Sequence, residues 1–126
     1  MRIVDSVGWI AYLTNAPLAD EYEKYIITPD DLITPTIVLH EVYKHVYRVS
    51  GEPGGKLALS AMVKTRILPL SSGLAVAAAQ AAIENKLPLA DSIIYATALA
   101  FEAAVVTSDA HFQGLPLVEY IPRPST

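Results

Sequence analysis

Apolar positions in this chain fall into two kinds of run. Short β-branched stretches such as IV at 3–4 and AVV at 104–106 alternate with longer segments whose apolar residues recur at helical spacing. Read in order, a strand at Met1–Asp5 leads into a helix at Ser6–Leu13, capped by Asp5 or Ser6. Leu18, Tyr22 and Tyr25 put one face on a second helix, Pro17–Ile26, and the turn Thr28–Asp31 leads to a strand at Leu32–Thr34. The next helix opens at Pro35 or Thr36 and ends before Gly51, with Val38, Val42, Val46 and Val49 as its buried stripe. GEPGG predicts a turn over Glu52–Gly55, followed by a helix at Lys56–Arg66 and a strand at Ile67–Leu70. An Ala-rich helix follows, capped by Ser71 or Ser72; then come a helix from near Pro88, a strand at Ala104–Thr107 and a short strand within Pro116–Tyr120. The tail at 122–126 is expected to fray. Strands alternating with helices, without hairpin pairs, predict an α/β fold: a parallel sheet of four to five strands in a three-layer α/β/α sandwich.

Composition adds limits. A chain of 126 residues, 52% hydrophobic and 17% charged, suits one domain over 1–126 with a packed core. Glu102 interrupts the longest apolar run and Asp5 breaks the amino-terminal one, so neither a membrane span nor a signal peptide is expected, and a soluble cytoplasmic protein is the default. With no cysteine, thiolate metal sites are excluded and carboxylates and three histidines remain as donors, which favours a hard cation. A net charge of −4 argues against gripping nucleic acid by bulk positive charge. The cations are unevenly placed, however: Lys44, Arg48, Lys56, Lys64 and Arg66 fall in one third of the chain, after an acidic stretch of Asp20, Glu21, Glu23, Asp30 and Asp31.

Four acids stand apart from solvated surface. Asp5 and Asp109 follow predicted strands, Asp91 lies in the first turn of a helix, and Glu41 projects from the same stripe as Val38 and Val42. In an open parallel sheet, strand carboxyl ends and helix amino ends share one side of the molecule. Each acid taken alone serves equally as a cap, an Asx-turn or an ion-pair partner. Converging, they repel one another and either take up protons or bind a cation, for which Mg²⁺ or Mn²⁺ is suited by its preference for oxygen ligands. Such a site would hold a scissile phosphate, provided that Lys44, Arg48 or Lys64 lines a path for the flanking backbone.

LADSIIYATALA followed by VVTSDAHF, with IVDSVGWIAYL at the amino end and LHEVYKHV between, resembles the PIN-domain family, and at this length its VapC-type toxin ribonucleases. The resemblance implies a metal site of Asp5, Glu41, Asp91 and Asp109 holding one or two Mg²⁺ or Mn²⁺ ions, supported by Ser6 and Thr107. It further implies endonucleolytic hydrolysis of RNA by water, a VapB-like antitoxin partner and a homodimer. His111 stands where relatives often carry another acid; contact with substrate or metal is one role open to it, and a lone surface histidine is the expected one.

Three rivals are weaker. His40 and His45 diverge by about 140° on one helix, which disfavours a histidine ribonuclease. An aspartyl-phosphate phosphotransferase built on Asp5 generally has a second acid two positions on, where this chain has Val7. A non-catalytic RNA-binding or scaffold module of the same fold is disfavoured by the intact quartet.

Overall fold

The computed structural model describes residues 1–124; the tail expected to fray lies partly outside them. Five short strands are all parallel: β1 (Arg2–Val4), β2 (Ile33–Pro35), β3 (Arg66–Leu68), β4 (Ala104–Thr107) and β5 (Val118–Tyr120). The expected strand count holds, but the ladder is divided. β1, β4 and β5 form one sheet in the order β1-β4-β5, β2 and β3 form another, and a parallel bridge between Arg2 and Leu32 joins them. Adjacent strand residues Ile3 and Val4, like Val105 and Val106, are all buried. Neighbouring residues on a strand point to opposite faces, so both faces of this sheet are covered, as the sandwich requires.

The helices are α1 (Ser6–Leu13), α2 (Ala19–Ile26), α3 (Thr36–Met62), α4 (Ser72–Asn85) and α5 (Leu89–Phe101). α5 packs against β1, β2 and β4, α4 lies along α5, and α1 packs on α2 and α3. Trp9, Tyr22 and Phe112 are the bulkiest fully buried side chains of the core, with Ile3, Leu32, Ile33, Met62 and Ile94 around them. At the end of α5, Glu102 adopts a left-handed conformation (φ 52°) and its backbone N–H returns to Ala98 O, which reverses the chain into β4.

The segment after Gly51 departs from expectation. GEPGG is not a four-residue turn: the backbone breaks only at Gly51 (φ 71°, ψ −170°), and helix resumes at once with Pro53 in its first turn. The second half of α3 ends at Met62, and Arg66 belongs to β3 rather than to the helix. Gly54 and Gly55 let the two halves approach closely. A Cβ on Gly55 would stand 3.1 Å from the Tyr43 ring and 3.3 Å from Tyr47, and one on Gly54 would collide with Ser50. Val49, expected in the buried stripe, is exposed, because this close to the break α3 has left the core.

Candidate metal centre

The chain order of strands and helices brings the acids to one rim. β1 and β4 are hydrogen-bonded neighbours, so the residues following them, Asp5 and Asp109, emerge side by side at the carboxyl edge of the sheet. α5 runs back before β4 and therefore starts at that edge, placing Asp91 in its first turn there; α3 leaves the same edge after β2 and carries Glu41 in its second turn.

Asp5 is 2% exposed and caps α1. Its Oδ1 accepts from the Ser6 backbone N–H at 2.7 Å, and its Oδ2 accepts from Thr107 Oγ1 at 2.7 Å. Burial pushes the Asp5 carboxyl up to about 6; the hydrogen bonds from Thr107 and Ser6 oppose the rise, and the charges of Asp109 and Glu41 add to it. Thr107 also accepts from the backbone N–H of Asp109 at 2.9 Å, so one hydroxyl ties both acids to the end of β4. Ser6 and Thr107, the two residues expected to support the site, therefore both contact Asp5.

Asp91 has a side chain 13% exposed. Burial pushes its carboxyl up to about 7, the charges of Asp109 and Asp5 raise it further, and His111 pulls it down. His111 corrects the expectation of a lone surface residue. Its Nδ1 lies 3.0 Å from Asp91 Oδ2 and 3.0 Å from Asp109 Oδ1, and its backbone N–H donates to Asp109 Oδ1 at 2.9 Å. Donor atoms of Asp91, Asp109 and His111 all fall within 4.8 Å of one another, close enough for one cation to touch all three. Two anionic oxygens and an imidazole nitrogen suit a divalent ion, and the mutual repulsion raising Asp91 is what such an ion relieves.

Glu41 is half-buried and makes no ion pair among the described residues. It faces a groove of about 420 Å³, which Ser6, His40, Lys44, His45 and Arg48 also line. Its charge reaches Asp5, yet it stands outside the cluster of Asp91, Asp109 and His111. Lys44 and Arg48 border this groove, whereas Lys64 is exposed beyond the end of α3 and lines no part of it. A larger cavity of about 600 Å³ between α1 and α2 is mostly apolar and holds none of the four acids.

The PIN domain model matches residues 2–116. The chain belongs to the PIN domain family. Solved PIN-like structures align over almost its whole length. A toxin–antitoxin complex from Klebsiella pneumoniae is 21% identical with a TM-score of 0.79, covering 96% of this chain and 100% of that one. VapC20 of Mycobacterium tuberculosis, described as a sarcin–ricin loop cleaving toxin, is 17% identical with a TM-score of 0.79 over 97% of this chain and 100% of its own. DNA-bound VapBC from Salmonella typhimurium is 17% identical with a TM-score of 0.77, covering 97% and 98%. At these identities the likeness is one of fold. No curated protein matches this PIN chain. No helix among its described residues is long and apolar enough to cross a membrane.

Proposed function

We propose that this PIN domain is a Mg²⁺- or Mn²⁺-dependent endoribonuclease acting as the toxin of a VapBC-like toxin–antitoxin pair, with residues 1–126 as its single domain. The observation that carries the reading is the meeting of Asp5, Asp91 and Asp109 at one sheet edge, with Glu41 near enough for its charge to act on Asp5 and two carboxyls raised far above their usual range. Asp5, Glu41, Asp91 and Asp109 are the proposed metal and catalytic residues. A divalent cation there would supply Lewis acidity, offsetting phosphate charge and lowering the pKa of water.

The chain's own groups do the rest. Thr107 and Ser6 hold the Asp5 carboxylate in one orientation, and His111 fixes Asp91 against Asp109. Lys44 and Arg48 flank Glu41 and can receive the phosphates next to the scissile one, while Lys64 is too remote from the groove for that role. The RNA substrate, an antitoxin that occludes the cleft, a homodimer and a cytoplasmic site of action complete the reading; one structural relative is described as a toxin–antitoxin complex and two as DNA-bound VapBC assemblies.

The test is a Mn²⁺ titration of purified protein, paired with RNA cleavage in the presence and absence of chelator, on the natural chain and Asp91→Asn. Metal binding and chelator-sensitive cleavage are expected, both falling sharply in the variant while it stays folded. Tight binding of metal and RNA with no cleavage by any preparation, including one freed of antitoxin, would instead identify a scaffold module. Full activity in Asp91→Asn would refute the site.

A further inference from the structure

Beside the acidic groove, α3 presents a second feature that metal chemistry does not require. Tyr43 and Tyr47, four residues apart and so on one helix face, stand with ring centroids 5.9 Å apart at 37°. Tyr47 is 47% exposed. Both rings rest against Gly55 of the returning half-helix, where any Cβ would press on them, so the backbone beneath holds the pair in place. Lys44 and Arg48 join the two tyrosines around a shallow hollow of about 560 Å³, and the same two cations line the groove that contains Glu41 and Ser6. Neither cation is paired with an acid among the described residues. Beyond Glu41 this helix thus interleaves rings and free positive charges, Tyr43, Lys44, Tyr47 and Arg48, and around its circumference the two cations lie between the acid's groove and the tyrosines' hollow.

This order matches the chemistry of a single nucleic-acid strand, in which a phosphate alternates with a flat base. Bases stack on exposed aromatic rings, and cations between ring and catalytic centre neutralise the intervening backbone. Glu41 and Tyr47, six positions apart, are separated by about 9 Å of helix axis, a reach short enough for a base that flanks the scissile phosphate. An apolar protein segment on the same face would leave Lys44 and Arg48 without counter-charge, and a base-paired duplex would present no free ring face to Tyr47.

We propose that Tyr43 and Tyr47, with Lys44 and Arg48, form a stacking subsite for an unpaired base of single-stranded RNA next to the bond that is cut. The proposal rests on the nuclease reading above and assigns the base beside the cut to named residues of α3. Tyr47 is the ring that the base covers, Tyr43 supports it from behind, and Arg48 and Lys44 take the phosphate between base and metal rim.

The experiment is fluorescence anisotropy of a short labelled single-stranded RNA of mixed sequence, in chelator to prevent cleavage, against the full chain and Tyr47→Ala, Tyr47→Trp and Arg48→Gln. Tyr47→Ala is expected to weaken binding about five- to a hundredfold. Tyr47→Trp should retain affinity and show quenching on binding, since Trp9 is buried and contributes a constant background. Arg48→Gln should reduce the slope of log K against log salt by about 0.7. Unchanged affinity in Tyr47→Ala overturns the subsite, as does equal affinity for a blunt duplex. A change in oligomeric state on light scattering without a change in RNA affinity would mark the face as a subunit contact and also overturns it. These failures leave metal-dependent cleavage by the natural chain intact, whereas failure of the nuclease reading would appear as absent cleavage with every RNA offered in Mn²⁺.

Discussion

Thr107 and Asp5 lie 102 positions apart in the chain, and the Thr107 hydroxyl donates to Asp5 Oδ2 at 2.7 Å while accepting the Asp109 backbone N–H at 2.9 Å. The incoming N–H occupies a lone pair of the hydroxyl, which leaves its proton aimed at Asp5. One buried side chain therefore sets the orientation of one acid and the position of another. Thr107→Val keeps the shape and removes both bonds, stranding a buried carboxyl oxygen and a backbone donor. The expected cost is about 1–3 kcal/mol of stability, with metal affinity about 10- to 100-fold weaker. Thermal denaturation in chelator and calorimetric Mn²⁺ titration check both, and Thr107→Ser should recover most of the loss.

Stability of the metal-free protein should fall as pH rises. Asp5 has a folded-state pKa of about 6 against an ordinary 3.8, so between these values the native state keeps a proton that the unfolded chain has released. The native state then binds more protons than the unfolded one, and the slope of unfolding free energy with pH is negative. Asp5 alone contributes about 3 kcal/mol of stability that is present near pH 4 and lost as pH passes about 6. Asp91, at about 7, extends the loss upward. Urea denaturation across this window in chelator should show the decline, and saturating Mn²⁺ should flatten it, since a cation binds the ionised form.

Removing the His111 ring should loosen the centre from the other side. Its nitrogen is the group that lowers the Asp91 pKa, so His111→Ala is expected to carry that value above about 7. Carboxyl-carbon NMR titration in chelator reads this directly. Mn²⁺ affinity should drop about 10- to 100-fold whether the ring touches the ion or only orients Asp91. An unchanged Asp91 titration would show that the 3.0 Å contact does not form in solution.

The residues that could be located in the sequence were those whose position follows from local rules. Asp5 and Asp109 follow β-branched runs and act as caps, and Asp91 sits two residues into a helix that starts after Pro88, so the edge they share follows from strand order. His111 was harder to place, because its role depends on Asp109 capping the short turn at Ala110–Phe112 and turning the ring back toward α5. The i to i+2 spacing from that cap was the available signal. GEPGG is ambiguous for a similar reason: Gly and Pro mark a turn, but Pro is equally at home in a helical first turn, and the use of Gly54 and Gly55 depends on Tyr43, Val46 and Ser50 from the facing half. The break between β1 and β2 is likewise a matter of how two sheets meet, which no single segment encodes.

Gly8 tests how closely the core and the site are coupled. It is buried in the first turns of α1, and a Cβ there would strike the Tyr22 ring while standing 2.8 Å from Val4 Cγ1. Ala is the better helix former by about 1 kcal/mol, so propensity alone predicts that Gly8→Ala stabilises. Overpacking against a ring that is 0% exposed works in the opposite direction, at about 1–3 kcal/mol, and should win because Tyr22 cannot retreat without breaking its 2.5 Å hydrogen bond to Ser108. Ser108 immediately precedes Asp109, so displacement of Tyr22 is transmitted to the rim of acids as well as to the core. Gly8→Ala is therefore expected both to lower the melting temperature and to weaken Mn²⁺ binding, whereas Gly73→Ala, with only Ser71 Oγ within 4 Å of the added carbon, should do neither. Differential scanning calorimetry with and without Mn²⁺ separates the two effects, and a Gly8→Ala protein as stable as the natural chain would show that α1 and α2 can part without cost.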